Sequence, residues 1–404
     1  MDKIDEILTR RVEHIYPSKE AFKKVLKSGK KIKLYSGIDP SNPKLHLGHT
    51  IVLKKLREFQ DQGHQVILLI GDFTGRIGDP TDKTSLRKKL THKQVLENAK
   101  TYQQQAAKIL KFDGKNPVQI KYNSQWLDKL NFNQVIELAS SFTVQQFIER
   151  DMFKKRIKEG RPIGLNEFLY PLMQAYDSVC LDIDLEVGGN DQIFNMLVGR
   201  DMVKEKLGKE KFILAVPLLL GTDGQKMGKS LNNFISLTTS PSEMYNKIMS
   251  IKDELIIDYF ELCTDLPIEK IKELKKSLQL DKVNPMNIKK ELALEITKTF
   301  YNEKEAEKAE NEFKNVGQKK NKPTKIADAP GKAKTGKQTV KDVLTLSFAG
   351  NISTSEVKRM IVSGSVTIDD KLYNDPQQKI NIKGDEIIKY GKVLKGKIFR
   401  IKTK

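Results

Sequence analysis

Two short apolar runs flanking a helix-length segment constrain this chain more than any other feature. "KLYSGID" and "QVILLIGDF" read as buried strands, the second framed by Gly63 and Gly71. Between them, "TIVLKKLREFQDQG" repeats apolar residues at helical spacing and stops on Gly63, a C-terminal cap residue. Strand, helix, strand at this length is a βαβ unit. It demands a parallel sheet and puts ligands at that sheet's carboxyl edge. "FILAVPLL", from Phe212, reads as a further strand of the same kind. The glycine-rich turn of dinucleotide-binding sheets does not follow the first strand.

Size and charge bound what is built on that sheet. At 404 residues the chain is long enough for two or three domains. No apolar run reaches the roughly 18 residues of a membrane span, and "MDKIDEILTRR" reads as an amphipathic first helix instead of a leader. Cys180 and Cys263 have no metal or redox spacing, so a reducing, cytoplasmic setting is expected. The net charge of +20 favours a polyanionic partner, most often nucleic acid.

After Asn233 the texture becomes helical. Ser240 and Pro241 form a cap and first-turn pair, and helical stretches follow through "IEKIKELKKSLQL" and residues 288–314. Residues 314–337 hold eight lysines against Asp328 alone, among Gly, Pro and Ala, and are expected to be a basic flexible linker. Residues 338–404 carry thirteen Lys and Arg against seven acids. They read as a helix, a strand–turn–strand around Asp369 and Asp370, and two more strands. "STSEVKRMIVSGSVTIDDK" resembles the small RNA-binding fold of ribosomal protein S-four, which implies that Lys358 and Arg359 face RNA phosphates.

"HLGH" sets His46 and His49 three positions apart, after an extended run and at the start of a helix. A zinc pair would need a third ligand, and no H-E-x-x-H or cysteine pair accompanies it. A histidine pair satisfied within the core is a second reading. In the third, helix N–H groups and two imidazole donors meet a phosphate, with Gly48 leaving room for a purine. That reading asks for a second cationic element. "GTDGQKMGKSLNN" supplies Lys226 and Lys229 on a glycine-flanked loop able to neutralise a departing pyrophosphate. Tyr170, Gln174 and Asp177 recur at i, i+4, i+7 as a polar stripe on an apolar helix. Such a stripe is either an internally satisfied network or one wall of a pocket for a small polar zwitterion.

"HLGH" followed about 180 residues later by "KMGKS" resembles the signature pair of class I aminoacyl-tRNA synthetases. The spacing Y-x-x-x-Q-x-x-D, with Tyr35 upstream and "GGNDQ" downstream, is similar to the bacterial tyrosyl enzymes, in the subtype with a KMxKS-type loop. The resemblance implies an α/β Rossmann-like, doubly wound parallel sheet as catalytic domain over residues 1–233, with a dimer-interface insertion at about 116–164. It implies an α-helical anticodon-binding domain over 234–313 and, beyond the linker, the S-four-type RNA-binding domain at 338–404.

By the same resemblance, His46, His49, Lys226, Lys229 and Ser230 serve catalysis. Tyr35 and Asp177 take the substrate phenol; Asp79, Tyr170 and Gln174 take its ammonium, with Gln192 nearby. Gly37, Asp39, Gly48, Gly189, Asp191 and Met227 join the histidines and Lys229 around ATP. Implied partners are L-tyrosine, ATP, Mg²⁺ travelling with ATP, tRNA(Tyr) and a second copy of the chain, with no structural metal and no membrane. Departures from the family pattern are Gly228 for Ser, Asp82 for Gly and Leu47 for Ile. A tryptophanyl relative, a nucleotidylyltransferase and a non-catalytic RNA-binding paralogue are the competing readings.

Overall fold

A computed structural model describes residues 2–79, 90–228, 231, 233–280, 283–315, 327–349, 352–390 and 397–403. Asp82, Lys229 and Ser230 lie outside the described residues. Two compact units emerge, residues 1–307 and 308–404.

The first unit is built on a six-stranded sheet of β1 (His14–Tyr16), β2 (Lys33–Ile38), β3 (Gln65–Ile70), β4 (Gln119–Tyr122), β5 (Leu185–Gly189) and β6 (Phe212–Val216). Its order is β1-β6-β5-β2-β3-β4. Five strands are parallel, and β1 closes one edge antiparallel to β6. From β2 the chain proceeds outward through β3 and β4, then returns to β5 and β6 on the other side. The gap between the carboxyl ends of β2 and β5 is therefore the topological switch point, where ligands bind in such sheets. Register places Tyr35 between Ile67 and Glu186.

The Leu47–Asp61 helix covers the first crossover and buries Leu47, Ile51, Leu53, Leu56 and Phe59. Its start is held from an unexpected direction. Leu47 N–H donates to Ile235 O at 2.9 Å and Leu237 N–H to Leu45 O at 3.0 Å, so the chain after the lysine loop runs antiparallel to the chain before the helix. Ser240 caps the Pro241–Met249 helix by accepting from Glu243 N at 3.2 Å, as its position predicts. The Ile256–Cys263, Ile268–Gln279 and Pro285–Phe300 helices complete this unit. The helical stretch expected over 288–314 is two helices, because Tyr301 (φ −127°, ψ −95°) breaks the run before Glu303–Phe313.

The helical region packs onto the sheet unit through ion pairs of buried cations. Arg11, with its side chain 2% exposed, pairs with Glu58 and Asp265, each at 2.7 Å, and donates to the Leu262 and Thr264 carbonyls. Lys54, from the histidine helix, reaches the same Asp265. The buried Arg11 and Lys54 cations would each be costly without such a partner.

In the second unit β7 (Ala327–Ala333), β9 (Val366–Ile368), β10 (Lys371–Tyr373), β12 (Ile387–Tyr390) and β13 (Lys397–Thr403) form a sheet ordered β10-β9-β12-β13-β7. A ribbon of β8 (Gly336–Thr339) and β11 (Lys379–Ile382) lies beside the Val340–Ser347 and Thr354–Val362 helices. Val343, Leu344, Phe348, Val357 and Ile361 meet strand residues such as Val366 and Ile388 in one core. The turn between β9 and β10 is the expected one, with Asp369 and Asp370 at φ 47° and 64°.

The flexible linker expected over 314–337 needs correcting. Residues 327–333 pair in parallel with β13 and residues 336–339 pair with β11, while 316–326 lie outside the described residues. Two of the small residues that suggested a tether, Gly331 and Ala333, are there for close packing. Ala333 is fully buried, and a side chain on Gly331 would come within 2.0 Å of Leu346 O.

Candidate active site

The switch point opens as a cleft of about 310 Å³. Its floor comes from the ends of β2 and β5, which supply Tyr35, Gly37, Asp39 and Gly189. One wall is the Leu165–Cys180 helix, whose stripe of Tyr170, Gln174 and Asp177 faces in. Across from it stand His46, Gly48 and His49, with Lys226 and Met227 from the lysine loop. Asp79, Asp191 and Gln192 complete the lining. Of the residues singled out in the sequence for this site, only Lys229 and Ser230 lie outside the described ones.

Local geometry explains the histidines. His46 is the residue before the first helical turn, with extended backbone (φ −136°, ψ 171°), so the helix starts one residue later than the sequence implied. Its N–H donates to His49 Nδ1 at 3.2 Å. An imidazole nitrogen that accepts carries no proton, so the neutral His49 ring holds its proton on Nε2 as a donor. The two ring centroids are 3.9 Å apart.

The lysine loop is pinned by buried Asn233. Its Oδ1 accepts from Gly228 N at 2.8 Å, and its Nδ2 donates to Asp223 Oδ1 at 2.8 Å and Lys226 O at 3.1 Å. Lys226 Nζ lies 2.9 Å from Asp191 Oδ2. Tyr259 OH anchors the base of the loop by donating to Leu220 O at 2.7 Å.

The polar stripe is partnered as well as pocket-facing. Tyr170 OH donates to Asp39 Oδ2 at 2.9 Å, and Thr74 holds the other Asp39 oxygen at 2.7 Å. Gly71 makes that approach possible, since a Cβ there would stand 2.0 Å from Asp39 Oδ1. Asp177 accepts from Trp126 Nε1 at 2.7 Å and Asn123 Nδ2 at 3.2 Å. Gln192 Nε2 reaches Asp79 Oδ2 at 2.6 Å, and Arg150 lies 4.0 Å from the other Asp79 oxygen.

Burial pushes the Tyr35 and Tyr170 hydroxyls well above their usual range, helped by nearby Glu186 and Asp39 respectively, so both stay protonated donors. The Asp177 carboxyl is also driven up by burial, against the pull of the Trp126 and Asn123 donors.

Several residues of this site gave little sign in the sequence. Asn123 and Trp126 come from "YNSQWL", where the chain's single tryptophan was the available signal. Ser178, Glu186, Asn195 and Lys211 are buried beneath the cleft. A buried Lys211 in the basic run "KEKLGKEKF" reads as surface, because its carboxylate partner is on another strand.

Comparison with known proteins agrees with the geometry. The family model described as tRNA synthetases class I (W and Y) matches residues 27–317. A tyrosine–tRNA ligase of Thermotoga maritima is 46% identical over 389 residues, spanning 96% of this chain and 95% of that protein. A tyrosine–tRNA ligase 2 of Clostridium acetobutylicum is 44% identical over 97% of this chain and 98% of its own length. Among solved structures, the fold is similar to a C-terminally truncated mitochondrial tyrosyl-tRNA synthetase of Aspergillus nidulans. That match has a TM-score of 0.65 at 22% identity, over 78% of this chain and 94% of that one. It is also similar to an Archaeoglobus fulgidus tyrosyl-tRNA synthetase complexed with L-tyrosine, with a TM-score of 0.60 at 22% identity over 76% of this chain and 99% of that one. A cleft at the switch point with paired histidines on one side and a polar helix on the other, together with these relatives, shows that the chain belongs to the bacterial tyrosyl-tRNA synthetases of class I.

Proposed function

We propose that this cleft joins L-tyrosine to ATP and hands the product to tRNA(Tyr). The family carries out both steps. In the first, a tyrosine carboxylate oxygen bonds to the α-phosphorus as the bond to the β-phosphate oxygen breaks, releasing pyrophosphate. In the second, a ribose hydroxyl of the 3′-terminal adenosine attacks the acyl carbon and AMP departs. The carboxylate is already an anionic nucleophile, so the first step asks the protein for position and charge.

The observation that carries this reading is a single cleft bordered by His46, His49 and Lys226 and also by Tyr35 and Asp177. His49 Nε2–H and His46 are the donors for the α-phosphate in its five-coordinate state, and Lys226 with Lys229 and Ser230 takes the pyrophosphate. Tyr35 and Asp177 recognise the phenol, and Asp79, Tyr170, Gln174 and Gln192 surround the ammonium. Gly37, Asp39, Gly48, Gly189, Asp191 and Met227 border the nucleotide. Mg²⁺ would come with ATP and would offset charge on its phosphates. A site that satisfies a phenol hydroxyl leaves polar groups unpaired with phenylalanine; for this very enzyme class that rejection is known to be roughly 10⁵-fold.

The remaining roles are proposals of the same kind. Phe132 (81% exposed), Ile136 and Val144 in the 116–164 insertion, and Leu165 (78% exposed) just after it, are exposed apolar side chains, which supports a homodimer. Lys358 and Arg359 are exposed on a helix whose Val357 and Ile361 are buried, as an RNA-facing helix requires. The helices after 233 take the anticodon, and the enzyme works in the cytoplasm. Tyrosine-dependent ATP–pyrophosphate exchange tests the central reading. Exchange with tyrosine and not with tryptophan or phenylalanine is expected, and equal exchange with all three would overturn it.

A further inference from the structure

Beneath the ammonium end of the cleft runs a continuous hydrogen-bonded chain. Asp79 Oδ2 accepts from Gln192 Nε2 at 2.6 Å, and Gln192 Oε1 accepts from Asn195 Nδ2 at 3.1 Å. The same Asn195 nitrogen donates to Gln174 Oε1 at 3.0 Å, and Gln174 Nε2 donates to Glu186 Oε1 at 2.9 Å. Glu186 Oε2 then pairs with Lys211 Nζ, which also donates to Ser178 Oγ at 2.8 Å. Lys211 and Asn195 are fully buried and Glu186 is 3% exposed.

The polarity of this chain is dictated by its ends. An ionised carboxylate only accepts, so each glutamine must turn its NH₂ toward its carboxylate and its carbonyl oxygen toward Asn195. Asn195 must then donate to both, which leaves its Oδ1 buried with no hydrogen-bond partner among the described residues. An orphaned buried acceptor costs free energy, and here it is the consequence of holding two amides in one sense. A carbonyl oxygen has two acceptor positions, so Gln174 and Gln192 each keep one for a cationic ligand.

We propose that Glu186, Lys211 and Asn195 are positioning residues for the tyrosine ammonium. Glu186 fixes the Gln174 amide with its oxygen available. Lys211 holds that carboxylate in place through the buried ion pair. Asn195 ties the sense of Gln174 to that of Gln192. The inference rests on the reading that Gln174 receives the ammonium.

The test replaces the buried pair by apolar residues of similar size, Glu186→Leu with Lys211→Met, since such exchanges are commonly tolerated by the fold. A second variant, Glu186→Gln with Lys211→Met, returns an acceptor to Gln174. Inhibition by tyramine, which keeps the ammonium, is compared with inhibition by 3-(4-hydroxyphenyl)propionate, which lacks it. In the Leu/Met variant, tyramine binding and the KM for tyrosine should weaken roughly tenfold, the worth of one lost hydrogen bond to a charged group. Binding of 3-(4-hydroxyphenyl)propionate and the KM for ATP should hold, and Glu186→Gln with Lys211→Met should recover most of the loss. Equal weakening of both inhibitors, or none, would overturn the inference. Absence of tyramine and tyrosine binding to the unaltered protein would overturn the reading of the cleft itself, and the inference with it.

Discussion

His49 shows how one backbone contact settles a side chain's chemistry. With Nδ1 occupied by the His46 N–H, the ring can offer only Nε2–H to the cleft. His49→Ala should lower the rate of adenylate formation by roughly 10²–10³, the worth of one oxyanion donor, with tyrosine affinity unchanged. Single-turnover kinetics checks this, and an equal loss in ground-state binding would count against the role. His64 makes a different statement. It is buried, its Nδ1 accepts from Ile32 N at 3.3 Å, and burial, with Lys31 nearby, lowers its pKa from 6.5 to about 4. Between those values the unfolded chain takes up a proton that the folded chain refuses, so stability falls as pH drops through that window. His64→Gln keeps an acceptor for Ile32 and should flatten the acid limb of Tm against pH; an unchanged limb would refute it.

Elements differed in how plainly they could be read from the sequence. β2, β3 and β6 announce themselves because a parallel strand covered on both faces is written as an apolar run. The histidine helix and the Ser240–Pro241 start were legible from periodicity and caps. β1 and β4 are short and polar, and β7 and β8 are written in Ala, Gly and Lys, with partners some 40 to 70 residues away. Nothing local marks such strands, since the partner supplies the reason for them. In the cleft, residues with a family pattern were readable, while Glu186, Asn195 and Lys211 were not, because their meaning lies in one another. Gly331→Ala should expose the difference between a tether and a packed strand. With Leu346 O in the way, it should destabilise the second unit by about 1–3 kcal/mol. A flexible linker would tolerate it without change in Tm.

At the scale of the molecule, the +20 charge is divided between a catalytic unit and a basic second unit, which suits a polyanion. Cutting at residue 338 would strand β7, whose partner β13 lies at the far end of the chain, so a clean truncation removes 316–404. That form should keep tyrosine-dependent exchange and lose tRNA charging, with the intact protein's charging falling as salt rises. Charging unaffected by truncation would refute the assigned division of labour. The backbone pairing of residues 45–47 with 235–237 has a mechanical consequence. The histidine turn and the stretch that follows the lysine loop, so distant in the gene, stand on a common plinth. A pull on the segment after that loop therefore arrives directly at the histidines' footing, through two backbone hydrogen bonds.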